Sequence, residues 1–500
     1  MAVIAAFVIN AGLNFVLGLL IAKLLGPADF GRFALATTGA IVLNTVLFEW
    51  LRLSATRFYS GRVRVDEPWI RHGLDRAYLR IGLLLLAAAA LCGAFGFAGG
   101  ADGREAVLCG TGLAALGIGV FDYHAALARA RFDGKLYLGL VAVKNVLSFA
   151  LMAAAAWWLP QPAWVLAAAG LSQLLAVLLL RHPLRDPHTP FERPRLSATW
   201  RVFARYGLPL IAANTAYQCL AFVNRGAIAS HAGFAEAGYF ALAADVTARA
   251  MTTLGTALDL LLFQLAVQAE EQSGRAAAEA QVAANAGTVF ALLAPCAVGF
   301  WAVLPALQGL VVPDAYRGPF ETYSTVLMPG LFCLSMMFYA LNPVFQIRRR
   351  TLPVVAAALV GLAVNGAGLL ILPDRMGGIG VALAQTAGLA AAGLWLGWRA
   401  LTGAERIVLP WGEIGVAALA CAAMGLALAP FRHLPPATAL AVLVPAGTAL
   451  YGALVWIFDI AGLRRQVLAR LRPARTLAAE QGSRPQAGVF AAAPHRKPAR

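Results

Sequence analysis

Glutamate and arginine lie one helical turn apart inside the second of many long apolar stretches in this chain. That stretch carries Thr45, Glu49, Arg52 and Thr56 at spacings of four, three and four residues, which places them on one face of a helix. An ionised group inside hydrocarbon costs about 2.5–3.5 kcal/mol, so this face must meet protein or water. Glu49 and Arg52 can also partly neutralise each other.

A longer polar stripe follows in the eighth stretch. Its members recur at helical spacing and are Asp245, Arg249, Thr252, Thr256 and Asp259. A stripe of this length cannot face lipid. Because Asp245 lies one turn from Arg249, we expect it either to form an ion pair with that arginine or to bind and release a coupling proton. Asp259 is the second coupling candidate.

Three other stretches add polar groups to the candidate binding site. The seventh contributes Asn214, Gln218 and Arg225 on one face, the fifth contributes Lys144 beside Asn145 and Ser148, and the first contributes Asn10 and Asn14. Such groups are rare in apolar stretches and are typical of a path for a polar cargo.

The candidate cations outnumber the candidate acids. The cations are Arg52, Lys144, Arg225 and Arg249, and the acids are Glu49, Asp245 and Asp259. This excess predicts a cationic cavity for an anionic cargo, and guanidinium groups suit phosphate or pyrophosphate because they bind two oxygens at once. The structural alternative is ion pairs that hold helices together, with Lys144 and Arg225 extending toward lipid headgroups.

Apolar segments of membrane-spanning length must position these groups. Hydrophobic residues make up 60% of the chain and charged residues 13%, and the mean hydropathy is +0.72, values foreign to a soluble protein. Runs of roughly 20 residues rich in Ala, Leu and Gly favour helices over barrel strands. We expect an all-α polytopic membrane protein of about 14 spans, near residues 3–23, 34–56, 81–97, 106–128, 138–159, 163–180, 206–230, 235–263, 282–304, 322–347, 352–372, 378–398, 411–428 and 437–458.

One short pattern occurs twice, 207 positions apart. Gly-Pro-Ala-Asp-Phe-Gly begins at Gly26 and Gly-Phe-Ala-Glu-Ala-Gly begins at Gly233, and both lead into Phe-Ala-Leu-Ala. A duplicated, many-helix membrane chain is the usual build of a secondary transporter, whose substrate site lies between the halves. The same offset relates Thr256 and Asp259 to Glu49 and Arg52, so we expect the two polar faces to meet across a pseudo-twofold axis.

The duplication divides the chain into two pseudo-symmetric six-helix lobes. The expected parts are an N-lobe at 1–181, a basic cytoplasmic linker at 182–205, a C-lobe at 206–400, helices 13 and 14 at 401–460, and a basic, disordered cytoplasmic tail at 461–500. Three amphipathic segments, near 69–78, 196–203 and 463–471, are expected to lie along the anionic inner leaflet.

The distribution of basic residues predicts the orientation. With both termini cytoplasmic, loops on that side carry about 30 of the 40 Lys and Arg, and the opposite loops carry about 6. The same asymmetry accounts for the net charge of +16 without a nucleic-acid partner.

The sequence lacks the motifs that ATP hydrolysis, metal binding and paired-cysteine chemistry require. The outer loops are short, no Walker loop or metal-ligand cluster occurs, and the six cysteines all fall inside predicted spans without a C-x-x-C pair. We therefore expect no catalytic residues, no cofactor and no metal, so the protein is not an enzyme. An ion gradient, the membrane potential or the substrate gradient would drive transport.

Several segments resemble the polysaccharide-transport flippases of the Wzx type, in the multidrug/oligosaccharidyl-lipid/polysaccharide exporter superfamily. They are Asn14-Phe15 through Leu24-Leu25-Gly26-Pro27-Ala28-Asp29-Phe30-Gly31 to Arg57-Phe58, then Tyr206-Gly207-Leu208-Pro209-Leu210, Gln346-Ile347-Arg348-Arg349-Arg350-Thr351, and Pro373 through Gly377 with Gly380-Val381-Ala382-Leu383-Ala384. One departure is Asn224, where many members have an Asp before the arginine that here is Arg225.

The resemblance implies two lobes in a V and alternating access. It implies transport of a polyprenyl-pyrophosphate-linked oligosaccharide to the outer leaflet of the cytoplasmic membrane, for lipopolysaccharide or exopolysaccharide synthesis. The cavity cations would bind the pyrophosphate, and Trp50 and Tyr217 are candidates for stacking on sugar rings. The implied partners are this glycan lipid, membrane lipids, and a glycan polymerase or chain-length machinery.

Four alternatives stay open. An ion-coupled drug exporter of the same superfamily shares the fold but favours anionic or aromatic groups for cationic drugs. A peptidoglycan-precursor flippase shares both the fold and the charge logic. A membrane glycan polymerase or ligase would carry a large external loop, which this chain lacks. A membrane scaffold that transports nothing is the fourth.

Overall fold

The structure is a computed structural model that describes residues 2–60, 67, 69–99, 103–186, 193–348, 350, 352–402, 406–465 and 468. The described residues form helices and connecting turns, and no strand occurs among them. The α-helices are α1 (Ala2–Asn44), α2 (Trp50–Phe58), α3 (Trp69–Gly99), α4 (Arg104–Ala130), α5 (Gly134–Trp158), α6 (Pro162–Leu179), α7 (Arg181–Leu184), α8 (Arg193–Ala232), α9 (Phe234–Ser273), α10 (Arg275–Leu310), α11 (Pro319–Met336), α12 (Asn342–Ile347), α13 (Leu352–Ile371), α14 (Pro373–Met376), α15 (Gly378–Leu401), α16 (Trp411–Leu428) and α17 (Pro436–Phe458).

Twelve segments of the described chain are long and apolar enough to cross a membrane. One of them, Gly12–Phe58, contains part of the first predicted span and all of the second, because α1 breaks at Gly26 and α2 follows it through the π-helical turn Thr45–Glu49. Helix α8 is not among the twelve, and it carries several polar residues in its apolar part. Counting both halves of Gly12–Phe58 and α8 gives fourteen long segments, which confirms the predicted all-α polytopic fold.

The duplicated pattern forms a reciprocal contact between the lobes. Gly26 and Gly233 both have positive φ, 73° and 89°, and extended ψ, so each breaks the helical path before the second helix of its lobe. A Cβ on Gly31 would lie 1.9 Å from the Phe234 carbonyl oxygen, and one on Gly238 would lie 2.1 Å from that of Pro27. Positions 27 and 234 are related by the 207-residue offset, so the contact obeys the predicted twofold symmetry.

A buried polar triad holds the predicted cytoplasmic end of the N-lobe. The Arg131 guanidinium donates to Asp186 at 2.7 Å and to the Tyr59 hydroxyl at 2.9 Å, and Tyr59 donates to Asp186 at 2.7 Å. Tyr59 follows α2, Arg131 follows α4 and Asp186 follows α7. Because each of the three side chains hydrogen-bonds to the other two, the triad holds the ends of these helices together.

Two of the three amphipathic segments expected on the membrane surface, 69–78 and 196–203, bury apolar side chains inside the protein instead, whereas 466–467 and 469–471 of the third lie outside the described residues. Leu74 of α3 is fully buried beside Tyr78, and Phe203 of α8 is buried against the end of α2. The Ser54 hydroxyl donates to the Phe203 carbonyl oxygen at 3.3 Å. The apolar faces of these segments therefore pack against protein. Helical periodicity alone does not show whether an apolar face meets protein or lipid. Helix α8 begins at Arg193 and continues to Ala232, so residues 193–205 of the predicted linker 182–205 are helical.

Helices α16 and α17 pack on α10. Cys421 and Met424 lie in a cluster with Ala302, and the Tyr451 hydroxyl donates to the Ala291 carbonyl oxygen at 2.6 Å. They thus attach to one helix of the C-lobe as predicted for two additional helices. The tail beyond Leu468 lies outside the described residues.

Candidate functional site

Arg225 lies where the two lobes meet. Its guanidinium donates to Asp245 of α9 at 2.5 Å, and it also donates to the Thr38 hydroxyl at 2.7 Å and the Ala34 carbonyl oxygen at 3.0 Å, both on α1. One side chain of α8 thereby joins the first helix pair of each lobe. Hydrogen bonds to a charged group contribute about 1.5–3 kcal/mol each, so this junction is a substantial part of the lobe contact.

The ion pair anticipated between Asp245 and Arg249 is wrong, because Asp245 pairs with Arg225. The Arg225 side chain is only 11% exposed and that of Asp245 is 46% exposed. A nearly buried arginine needs a carboxylate partner, whereas an exposed one can stay hydrated. Arg249 is exposed, and its guanidinium has no hydrogen-bond or ionic partner among the described residues.

The lobes are closed together at the predicted outer end. The buried Tyr316 hydroxyl donates to the Ala22 carbonyl oxygen at 3.0 Å and its ring lies edge-on to Phe30 and Tyr239. The Tyr323 hydroxyl bonds to Glu236 beside this contact. The glycine crossing and Arg225 continue the contact inward, so the outer half of the lobe interface is sealed.

Below Arg225 the polar side chains become exposed. Arg249 lies about 22 Å along α9 from Phe234 at 1.5 Å per residue, and Asn214 lies about 27 Å along α8 from Ala232. Both are exposed although they lie at membrane depth. A lipid-facing arginine at this depth would cost several kcal/mol, so we infer that the exposed face of α9 at Arg249 meets water rather than lipid.

A second charged cluster lies within the N-lobe. Arg52 donates to Glu49 at 2.8 Å and through a second, shorter bond, so this predicted pair is present. Asp122 of α4 acts electrostatically on Arg52 and on Lys144 of α5. The Lys144 ammonium lies 5.3 Å from the centre of the Phe121 ring. Arg52 and Lys144 therefore both lie within electrostatic range of one carboxylate.

Asp122 is the group that the sequence reasoning missed. It lies within the predicted fourth span, so the rule that singled out Glu49 and Asp245 applies to it equally. Including Asp122 changes the charge balance, because four cations now stand against four acids. The predicted cationic excess is therefore wrong for this group of residues, and Arg249 is the candidate arginine left without an acid.

The two polar faces related by the repeat are not brought together by any contact among the described residues. Glu49 and Arg52 bond to each other inside the N-lobe, while Thr256 bonds to the Tyr339 hydroxyl at 3.0 Å inside the C-lobe. Asp259 is half-buried and has no hydrogen bond or ion pair in the described part of the chain. Glu49, Arg52 and Thr256 therefore find their partners within their own lobes.

The two proposed stacking aromatics are already engaged. Trp50 is 8% exposed, lies edge-on to Trp200 and donates its indole N–H to the Leu47 carbonyl oxygen at 3.0 Å. The Tyr217 hydroxyl donates to the Met337 sulfur at 3.1 Å, and its ring lies edge-on to Phe338. The role proposed for Trp50 is wrong, since no ring face is free, and Tyr217 offers only part of its surface.

The remaining polar candidates divide between buried and exposed positions. Asn224 is fully buried and donates to Gln385 at 2.9 Å, and Asn145 is buried too. The Ser148 hydroxyl bonds to Ser172 at 2.8 Å. Gln218 and Asn14 are half-buried, and the side chain of Asn10 lies outside the described residues. Of this group, Asn214 alone is exposed at membrane depth.

No metal site is found in the described chain. No group of three or more His, Cys, Asp or Glu side chains there could hold an ion. The six cysteines are free thiols. What the described residues offer is an exposed arginine, Arg249, without a partner among them, together with the ion pairs Arg225–Asp245 and Arg52–Glu49.

Comparison with known proteins identifies the fold. No protein-family model matches the sequence, and no curated protein matches it. Among solved structures, the chain is similar to the lipid II flippase MurJ in an inward closed conformation, with a TM-score of 0.73 and 13% identity over 91% of this chain and 98% of that one. It is also similar to an inward-facing multidrug resistance MATE family transporter of the MOP superfamily, with a TM-score of 0.52 and 15% identity over 79% and 94%.

Both similar proteins are transporters, and at such identities the likeness concerns the fold. This chain is a multi-pass membrane protein with the helical fold that MurJ and the MATE transporter share.

Proposed function

We propose that the protein moves a polyprenyl-pyrophosphate-linked oligosaccharide across the cytoplasmic membrane by alternating access, for synthesis of a cell-surface polysaccharide. The observation that carries this proposal is Arg249, which is exposed and has no partner among the described residues although it lies within a candidate membrane span, Phe234–Ser273. A membrane protein retains such a costly charge where a cargo of opposite sign passes. A pyrophosphate supplies the oxygens that a guanidinium binds in pairs.

Arg249 makes the first contact with the pyrophosphate in this proposal. Arg225 and Arg52 hold carboxylates in the unloaded protein, and an anionic headgroup would compete with Asp245 and Glu49 for them. The pyrophosphate can thereby gain further ligands as it moves inward, while the exchange weakens the Arg225 junction between the lobes. Cargo binding and lobe separation are linked through that exchange.

Translocation of the peptidoglycan precursor lipid II is the second candidate. The likeness to the lipid II flippase MurJ over 91% of this chain supports it. Both candidates require a pyrophosphate-bearing lipid and differ in the glycan. We infer that the surrounding lipid keeps the prenyl tail and that a glycan polymerase or chain-length protein takes the product on the outer side.

Two other functions have less support. A drug exporter finds support in the MATE likeness and in the acids Asp245 and Asp259, but Arg249 would repel a cationic drug. A glycan polymerase or ligase finds no counterpart among the two similar structures, which are transporters. We therefore infer that the protein is not an enzyme.

Export measured in cells tests the proposed function. A bacterial strain that lacks its own glycan flippase is given wild type, Arg249→Ala, Arg249→Lys or, as a control in the predicted outer loop, Arg317→Ala. The wild type and Arg317→Ala should restore surface glycan, whereas Arg249→Ala should restore at least tenfold less at equal abundance. Arg249→Lys should rescue poorly, because one ammonium cannot bind two oxygens in a fixed plane.

The same strains distinguish the alternatives. Survival of a strain depleted of its lipid II flippase would favour the peptidoglycan precursor, and resistance to ethidium without glycan export would favour a drug exporter. Normal export by Arg249→Ala would overturn the role given to this arginine.

A further inference from the structure

Tyr339 is held against α9 at the depth of Thr256. It belongs to the π-helical turn Met337–Leu341, and such turns are frequent at functional sites. A Cβ on Gly255 would lie 2.1 Å from the Tyr339 ring, so the ring reaches the helix only because residue 255 is glycine. The Tyr339 hydroxyl bonds to the Thr256 hydroxyl at 3.0 Å, which fixes the ring's orientation.

Asp259 lies beside this ring without a partner. Its carboxylate acts electrostatically on the Tyr339 hydroxyl but makes no hydrogen bond or ion pair in the described part of the chain. The position related to it by the repeat is Arg52, which bonds to Glu49. At this position the N-lobe therefore has an ion pair, whereas the C-lobe has a half-exposed carboxylate without a partner among the described residues.

We propose that Tyr339, Thr256 and Asp259 bind the sugar portion of the lipid-linked cargo. This inference rests on the proposed function and assigns the glycan end of the substrate to the C-lobe. Sugars combine hydroxyl donors with an apolar ring face. A carboxylate and a hydroxyl accept the donors, and an oriented aromatic ring meets the apolar face.

The spacing along α9 agrees with this assignment. Thr256 lies about 10 Å and Asp259 about 15 Å beyond Arg249 at 1.5 Å per residue, toward the predicted cytoplasmic opening. A pyrophosphate at Arg249 would therefore leave its attached sugars beside Tyr339. Asp259, a candidate for ion coupling from its sequence position, takes a binding role here instead.

A pair of lipids that differ only in the sugar tests the proposal. The purified full-length protein in nanodiscs is titrated with undecaprenyl pyrophosphate and with the same lipid carrying N-acetylhexosamine. The wild type should bind the sugar-bearing lipid about tenfold more tightly. Asp259→Asn and Tyr339→Ala should remove most of this preference and leave the affinity for undecaprenyl pyrophosphate unchanged, while Arg249→Ala should weaken both.

Two further variants separate a binding role from a folding role. Gly255→Ala should displace the ring and reduce the preference although all three binding side chains are present, and Tyr339→Phe should retain part of it. Asp314→Asn, at an exposed acid of the predicted outer loop, is the matched control and should bind like wild type. The unfolding temperature of each variant is measured alongside.

The outcomes for the site and for the function differ. A wild type that binds neither lipid overturns the proposed function. A wild type that binds both lipids equally, or variants at Asp259 and Tyr339 that keep the full preference or lose both lipids equally, overturn the sugar site and leave the pyrophosphate site intact.

Discussion

At the scale of single residues, Arg225 has the largest set of partners in the candidate site. The four-residue spacing of Asp245 and Arg249 predicted an ion pair between them, but helical spacing shows only which residues share a helix face. Arg225 reaches Asp245 from another helix and reaches Thr38 from another lobe. A contact of this kind depends on how helices cross, and a single sequence does not contain that information.

We predict that Arg225→Ala lowers the initial rate of transport at least tenfold in proteoliposomes. The variant loses bonds to Asp245, Thr38 and the Ala34 carbonyl oxygen together, and the lobe contact loses its innermost link. Arg225→Lys should rescue little, because one ammonium cannot reach all three acceptors. Arg317→Ala, which removes an exposed ion pair with Asp314 inside the C-lobe, should transport near the wild-type rate. Equal rates for all these variants would refute the role of Arg225.

A second prediction concerns coupling at Asp245. An anionic headgroup that occupies Arg225 would displace this half-exposed carboxylate from its ion pair, so Asp245 is the first candidate to carry a coupling proton. An imposed proton gradient should therefore accelerate transport by the wild type and accelerate Asp245→Asn much less. If both respond equally to the gradient, the coupling group lies elsewhere, with Glu49 and Asp122 as the next acids to test.

At the scale of elements, the helix crossing at Gly31 and Gly238 determines how closely the lobes approach. Each glycine faces a backbone carbonyl of the other lobe, and a side chain on either one would overlap it. Helices α1 and α9 can close at their predicted outer ends only because both positions lack a Cβ. The crossing must open when the cargo leaves on the outer side.

Replacing Gly31 tests this crossing. Gly31→Ala should hold the lobes apart at the predicted outer end and destabilise the closed state by about 1–3 kcal/mol, because overpacking a backbone contact has that range of costs. A cysteine at position 22, where the closed state buries Ala22, should then react faster with an impermeant maleimide added outside. Gly18→Ala is the matched control on the same helix, since its Cβ would meet open space. Unchanged labelling in Gly31→Ala would show that the crossing does not limit opening.

The number and order of the long helices could largely be predicted from the sequence. Runs of apolar residues predicted the fourteen segments, and the repeat predicted a symmetric pair of lobes whose matching glycines the structure brings together. The burial of Phe203 and Trp50 could not be predicted, because an apolar face does not state whether lipid or protein covers it. The cluster around Asp122 joins residues from α2, α4 and α5, and its charge balance becomes visible only when these helices pack.

At the scale of the whole molecule, the orientation is still a prediction from charge. Single cysteines at Gly61, Arg193 and a tail position beyond Pro473 should be protected from an impermeant maleimide in intact cells, whereas cysteines at Gly103 and Asp314 should react. A cysteine-free background excludes labelling of the six native thiols. Outside labelling at position 193 would invert the orientation and with it the direction of transport.

The contacts between the lobes and the exposed residues beyond them indicate the order in which a cargo would meet the protein. The lobes are in contact from the glycine crossing to Arg225, and the exposed Arg249 and Asn214 lie farther toward the predicted cytoplasmic end. A cargo entering from the predicted cytoplasmic side would meet Arg249 before it reached the ion pair that closes the lobes. This order of contacts favours an anionic cargo that opens the seal by competing for Arg225.

Reconstitution tests this account most directly. The purified protein is placed in proteoliposomes that contain a fluorescent polyprenyl-pyrophosphate-linked glycan, and access of an added sugar-cleaving enzyme to the glycan is followed over time. The wild type should expose glycan much faster than protein-free liposomes, and Arg249→Ala should reduce the rate at least tenfold. A wild-type rate equal to that of protein-free liposomes, or an undiminished rate in Arg249→Ala, would contradict the account.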